Sequence, residues 1–230
     1  MPLYIVSTPI GNLGDLSLRA IEVLKSVHVI AAEDTRHSGI LLAHFNIATR
    51  MVSYHDHNKL QRTPELIAEL QQGRSVAVIS DAGTPGIADP AFHLVREAIR
   101  NTIDVVPVPG ASALLAALVA SGFPTDRFVF ENFLPAKEGA RKKKLEALKT
   151  EERTVVFYES PHRLLKTLAA IQEVFGDIPL VVGREITKKF ERFYRGKTSD
   201  IASIFEKEGV RGEIVVLFNL KYAGSNEPAR

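Results

Sequence analysis

The 230-residue sequence contains no cysteine. That excludes a disulfide scaffold, thiolate zinc or iron–sulfur centres and a cysteine nucleophile. Long hydrophobic runs are also missing: the longest is the stretch through Leu114 to Ala120, far short of the ~20 apolar residues of a membrane span. The opening Met1-Pro2-Leu3-Tyr4 lacks the basic start of a signal peptide and reads as a strand. A soluble, cytoplasmic protein is the expectation. Two phosphate-binding signatures are absent as well. Gly11-Asn12-Leu13-Gly14 departs from G-x-G-x-x-G, and there is no G-x-x-x-x-G-K-[ST], which counts against nicotinamide and phosphoryl-transfer chemistry. His55-Asp56-His57 has the spacing of a metal pair but no nearby third ligand, so no metal is expected.

Overall charge is nearly balanced, at +2, but it is unevenly placed. Residues 1–116 carry 9 basic and 11 acidic groups, and residues 117–230 carry 20 and 16. Two windows, Lys137 to Lys149 and Arg184 to Lys197, each hold 6 basic and 2 acidic residues. Together they contribute +8, so the remaining chain sums to −6. Such windows fit either a localised polyanion contact or solvated helix faces.

Apolar spacing alternates between short runs and helical periods. Leu3 to Val6, His28 to Ala32, Val76 to Ile79 and Ile103 to Val108 read as strands. Between them lie helices capped by Ser17, running from Asn58 to Gln72, and starting at Pro90. A small-residue helix follows, from Ser112 to Ser121. The second half repeats the rhythm with strands at Arg127 to Glu131, Thr154 to Tyr158, Leu180 to Gly183 and Glu213 to Leu220. Its helices are expected at Gly139 to Leu148, Pro161 to Phe175 and Thr198 to Glu206, the last started by Ser199 or Asp200. The fold class is α/β with largely parallel sheets. Two domains are expected, 1–120 and 121–230, with a hinge near Ala120 to Thr125.

Ligands of open α/β sheets sit beyond the carboxyl ends of strands. Four segments there are rich in glycine, proline and small polar residues: Ser7 to Asp15, Ser80 to Gly86, Pro107 to Ala113 and Tyr158 to Arg163. Glycine allows close backbone approach to a ligand, and helix starts offer free amides. A small-ligand cleft is the reading.

The order of these loops resembles the class III S-adenosylmethionine-dependent methyltransferases, the tetrapyrrole methylase family. The matching residues are Leu3 to Asn12, Ala32-Glu33-Asp34-Thr35-Arg36, Ser80 to Pro90, Pro109 to Ala113, Tyr158 to Arg163 and Arg184 to Lys189. They keep their order over almost the whole chain, and the match is closer to the family's ribosomal branch. Some members continue into a small further C-terminal domain. The resemblance implies two α/β domains with the S-adenosylmethionine cleft between them, a homodimer, and 2′-O-methylation of a cytidine in 16S ribosomal RNA. It implies Pro9 beside the cofactor, Asp81, Ala82 and Gly83 at its amino-acid or ribose part, and Ser112 and Ala113 at its sulfonium side. Tyr158, Glu185 and Glu213 match its adenine-side segments.

For that chemistry the protein mainly aligns acceptor oxygen, methyl carbon and sulfur, and one base accepts the hydroxyl proton. Asp34 and Glu159 are the base candidates, and Arg36 or Lys188 could lower the hydroxyl pKa. Asp34 and Arg36 could equally form a structural pair, Glu159 could cap the helix after it, and Asp81 could close an Asx-turn. Lys142, Lys143, Lys144, Arg163, Arg184 and Lys189 are candidates for holding RNA. Phe190, Phe193 and Tyr194 lie among the second basic window, where aromatics either stack on unpaired bases or pack in a core. A tetrapyrrole-type small-molecule methyltransferase and a non-enzymatic RNA-binding protein are the competing readings.

Overall fold

Three strands of the first half send alternate side chains into two different cores. In the computed structural model, which describes residues 1–222, these are β1 (Leu3–Val6), β2 (Val29–Ala32) and β4 (Val76–Ile79). Leu3, Val29, Ala31, Val76 and Val78 join one apolar cluster, whereas Val6, Ile30, Ala32, Ala77 and Ile79 join the other. Period-2 alternation with both faces covered is what a buried parallel sheet requires. With β3 (Met51–Ser53) and β5 (Val105–Val108), the order is β3-β2-β4-β1-β5 and every pair is parallel. Helices α1 (Leu18–Ser26) and α2 (Thr35–His44) cover one face through Ala20, Leu24 and Leu42. On the other face, α3 (Lys59–Gln71) and α4 (Ala91–Arg100) contribute Leu66, Leu70, Leu94 and Ala98. The chain therefore leaves β1 toward one face and its neighbour β4 toward the opposite one. Their carboxyl ends form a topological switch point.

The second sheet is different. Its strands β6 (Phe128–Phe133), β7 (Thr154–Glu159), β8 (Pro179–Arg184), β9 (Arg192–Lys197) and β10 (Ile214–Phe218) run in the order β6-β7-β10-β8-β9. Only β6 and β7 are parallel; the other three pairs are antiparallel. The expectation of largely parallel sheets thus fails here, because β8 and β9 form a hairpin and β10 returns between β7 and β8. Helix α5 (Ala113–Ser121) lies against β7, β8 and β10. Helices α6 (Glu138–Ala147), α7 (Leu164–Phe175) and α8 (Thr198–Glu208) pack Leu145, Leu168 and Phe205 against Phe157, Val182 and Phe218.

The two compact units meet at Ser112 and Ala113, ahead of the expected hinge at Ala120 to Thr125. The eight-residue difference is α5, whose Leu114, Ala117 and Leu118 are buried and which packs on β7, β8 and β10 of the second sheet. Ser17 caps α1 as expected, accepting from the Ala20 amide at 3.1 Å. The α8 start is held by Asp177, which accepts from the Ser199 amide and hydroxyl at 2.9 Å each. The elements α2, β3 and β9 have no counterpart in the sequence reading. α2 buries only Ser38 and Leu42, β3 is three residues long, and Tyr194 is the one fully buried residue of β9.

Candidate active site

Four of the five loops at the carboxyl edge of the parallel sheet, those after β1, β2, β4 and β5, are tied to one another. Thr8, after β1, pairs with Gly83, after β4: each amide donates to the other's carbonyl, at 2.9 and 3.2 Å. The Thr8 hydroxyl also donates to the Ser80 carbonyl at 3.2 Å. The hydroxyls of Ser7 and Thr84 are 2.9 Å apart, and Thr84 donates onward to the Ala111 carbonyl. Gly83 has φ +82°, and a Cβ on it would come within 3.3 Å of Ile10 Cγ2. At Gly110 a Cβ would stand 2.8 Å from Ser7 Cβ. Both glycines are therefore required by close loop contact, which holds Pro9, Asp81, Ala82, Gly83 and Ser112 on one edge.

Carboxylates crowd the same edge. Asp81 Oδ1 accepts from the Asp34 amide at 2.9 Å, and the Asp81 amide reaches Glu33 Oε2 at 3.4 Å. Asp34 caps α2: its Oδ1 accepts from the amides of Arg36 and His37, and its Oδ2 meets the Arg36 guanidinium at 3.4 Å. Those bonds hold its pKa below the usual carboxylate range. Arg36 itself is 92% exposed. Asp89, further along the loop, accepts from the amides of Gly86 and Ala91, and burial raises its pKa. Glu33 is half-buried. Burial raises its pKa, opposed by the Asp81 amide and reinforced by the charges of Asp81, Asp89 and Asp56.

In the second unit the candidates gather at one end of the sheet, because Ile214 of β10 faces both Glu159 and Arg184. Tyr158 is half-buried against Phe130 and Phe133, and burial raises its pKa. Glu159 has no exposed side-chain surface. It accepts from the Ser160 amide and the Thr167 hydroxyl and pairs with Arg163 at 3.2 Å. With both oxygens committed inside the fold, it is a structural acceptor and offers nothing to a substrate. Arg163 in turn donates to the carbonyls of Leu134 and Pro135, so it pins a loop.

The loop after β8 is shaped around Glu185. Glu185 and Thr187 have φ of +52° and +69°, conformations that cost energy in non-glycine residues and cluster at functional segments. The Glu185 carboxylate accepts from the Glu213 amide at 2.9 Å and from Lys188 at 3.0 Å. The Glu213 amide and Lys188 lower its pKa against the effect of burial. A Cβ on Gly212 would come within 2.5 Å of the Glu185 side chain, so the glycine is what admits that carboxylate. Lys188 also meets Glu213 at 3.2 Å. Burial works against its charge, but the two carboxylates more than offset this and its pKa is raised.

The basic windows are less free than their sequence implies. Lys142 is held by Glu138 and Glu173, and Lys144 by Glu131. Arg141 is buried. Lys143 is exposed and has no ion pair among the described residues. In the second window Arg184 is half-buried, and its Nε has no hydrogen-bond partner among the described residues. Tyr194 is core, stacked on Phe205. Phe190 is 65% exposed, with the Lys189 ammonium 5.7 Å from its ring centre. Among the described residues, no group of three His, Asp or Glu side chains could hold a metal, and no helix is long and apolar enough to cross a membrane.

The profile of the Tetrapyrrole (Corrin/Porphyrin) Methylases matches residues 2–202. The chain belongs to that family. It is 52% identical over 216 residues to the "Ribosomal RNA small subunit methyltransferase I" of Synechocystis sp., covering 94% of this chain and 77% of that one. The protein of the same name from Escherichia coli O157:H7 is 50% identical over 218 residues, covering 94% and 76%. Among solved structures, the uroporphyrin-III C-methyl transferase of Thermus thermophilus complexed with S-adenyl homocysteine superposes with a TM-score of 0.66. It is 21% identical and covers 96% of this chain and 98% of its own.

Proposed function

We propose that this chain transfers the methyl group of S-adenosylmethionine to the ribose 2′-hydroxyl of a cytidine in 16S ribosomal RNA, as a cytoplasmic homodimer acting on the RNA or the small subunit. The observation that carries the reading is identity of about half, over 94% of the chain, to proteins named for small-subunit RNA methylation. The carboxyl edge of the first sheet suits the donor. A sulfonium and an ammonium group call for acceptors, and Asp81 Oδ2 has, among the described residues, none of the hydrogen bonds that occupy its sister oxygen.

When bound, the donor supplies an electrophilic methyl carbon with a good neutral leaving group. Pro9, Asp81, Ala82, Gly83 and Ser112, on the loop edge of the first unit, are proposed to hold it. Their task is alignment, since proximity and orientation supply most of the acceleration in such a displacement. Lys188, already committed to two carboxylates, positions the loop after β8. The exposed Lys189 and Phe190 are proposed to take phosphate and unpaired base.

Mass spectrometry of small-subunit RNA tests the reading. Cells lacking the gene should lose one cytidine 2′-O-methyl group, and the purified protein with S-adenosylmethionine should restore it. Unchanged RNA, together with methylation of a tetrapyrrole by the purified protein, would favour the small-molecule reading. Binding of RNA with no transfer to any acceptor would leave a binding protein.

A further inference from the structure

At the carboxyl edge of the parallel sheet the carboxylates are unequal, and the inequality singles one out. Asp34 spends its oxygens capping α2 and meeting Arg36. Asp89 spends both on the loop before α4. Asp56 is bound to Lys59 at 2.7 Å; Asp81 Oδ1 holds the Asp34 amide at 2.9 Å, and its Oδ2 is given to the donor in the functional reading. Glu159, in the other unit, is enclosed. Glu33 remains. It follows β2 directly, beside β4 and its switch-point loop. Its sole hydrogen bond among the described residues is a long one, 3.4 Å from the Asp81 amide to Oε2. Oε1 has no partner there, and the residue is half-exposed.

We propose that Glu33 is the general base of the methyl transfer, its Oε1 accepting the proton of the acceptor hydroxyl. The inference rests on the RNA 2′-O-methylation reading. As the ribose 2′-oxygen bonds to the methyl carbon, the carbon–sulfur bond breaks. Its electron pair leaves with the neutral thioether, and the hydroxyl proton passes to Glu33. The surroundings suit the role. Asp81 from the loop after β4, Asp89 from the loop before α4, and Asp56 from the loop after β3 all raise the proton affinity of Glu33. Asp56 is itself offset by Lys59 and by His55 and His57 beside it, and Asp34 on the same loop is offset by Arg36. A carboxylate with raised proton affinity is a stronger base at neutral pH, whereas Asp34 is held in the opposite direction.

The test compares wild type, Glu33→Gln and Glu33→Asp on small-subunit RNA lacking the modification. Single-turnover transfer is measured at saturating RNA and S-adenosylmethionine across pH. Calorimetry with S-adenosylhomocysteine and filter binding of RNA are run on the same preparations. Glu33→Gln should lower the rate by about 10²- to 10⁴-fold, the usual range for a general base. Both binding constants should stay within threefold, and Glu33→Asp should recover part of the rate. Carbon-13 NMR of the ligand-free protein should show the Glu33 carboxyl titrating above the ordinary glutamate value of about 4.3. A Glu33→Gln rate within threefold of wild type overturns the assignment and leaves the functional reading intact. A wild-type protein that methylates no ribose overturns both. Loss of S-adenosylhomocysteine binding in Glu33→Gln also overturns it, making Glu33 a donor ligand.

Discussion

The two units solve the same problem, holding loops at a sheet end, by different means. In the first, five parallel strands all deliver their carboxyl ends to one edge. The loops there are locked by backbone pairing, Thr8 to Gly83, and by glycines that permit contact. In the second, antiparallel pairing divides strand ends between two edges. The loops at the end of Glu159 and Arg184 are held by charged side chains: Glu159 with Arg163 and Thr167, and Glu185 with Lys188 and the Glu213 amide. Parallel topology makes convergence of loops automatic. The antiparallel sheet needs acids as fasteners, which is why Glu159, a candidate base in the sequence, proves to be structural.

Three substitutions can break this contrast, with a fourth, Lys142→Met, as the surface control. The largest effect is expected for Arg163→Met. It strands the Glu159 carboxylate, whose side chain has no exposure, and breaking a buried pair from one side costs about 3 kcal/mol or more. Urea unfolding should show a lower midpoint with an unchanged slope, and Lys142→Met, on a surface pair, should shift it by under ~1 kcal/mol. In the first unit the fasteners are steric. Gly110→Ala places a methyl 2.8 Å from Ser7 Cβ, an overpacking that costs about 1–3 kcal/mol. Gly83→Leu combines a φ of +82° with contact to Ile10 and should abolish S-adenosylhomocysteine binding in calorimetry. Normal binding by that variant would remove the loop from the site.

Much of this was legible in the sequence because parallel sheets advertise themselves. Val76 to Ile79 bounded by Ser80 and Gly83 reads as buried strand and ligand loop without any structure. So do the glycines and the Ser17 cap. The second unit hid more. In β9, Arg192 to Lys197 carries the charge of an exposed edge, and only Tyr194 reports the core, so the segment read as a basic patch. Nothing local in Glu159 tells that Thr167, eight residues on, closes over it, or that Asp177 reaches Ser199. Phe190 and Tyr194 divide between the two roles that the sequence left open, since a hairpin tip exposes the first and alternation buries the second. Glu33 stands next to Asp34 in the sequence. Only the direction of each side chain's hydrogen bonds separates cap from base.

The pH dependence of stability sharpens the comparison, because the two key carboxylates are shifted in opposite directions. Glu33 has a raised folded pKa. The native state therefore holds its proton to higher pH than the unfolded chain does, and stability falls as pH rises from about 4.3 through the folded value. Glu33→Gln removes that penalty and should raise Tm at pH 7, with the gain vanishing below about pH 4. Glu185 has a lowered folded pKa. Its contribution is present above about 4.3 and is lost as pH falls through the folded value. Glu185→Gln should therefore lower Tm at pH 7, again with no difference in strong acid. A stabilising active-site substitution is the usual mark of a residue kept for function at a cost in stability.

The smallest effect concerns the lysine run. Phosphate contacts to single-stranded nucleic acid contribute a salt slope near −0.7 each, so three free lysines would contribute about −2. Lys142 and Lys144 are already engaged by Glu138, Glu173 and Glu131, which leaves Lys143 as the one of the three with no ion pair among the described residues. Changing all three to Ala should therefore flatten the salt dependence of RNA binding by only about 0.7 and leave S-adenosylhomocysteine affinity unchanged. Lys189→Ala with Phe190→Ala should match or exceed that loss, since it removes a cation and an exposed ring together. Filter binding across a salt series distinguishes the cases. A flattening of about 2 in the triple variant would mean that RNA opens the ion pairs of α6, making that helix the main docking face and the hairpin tip secondary.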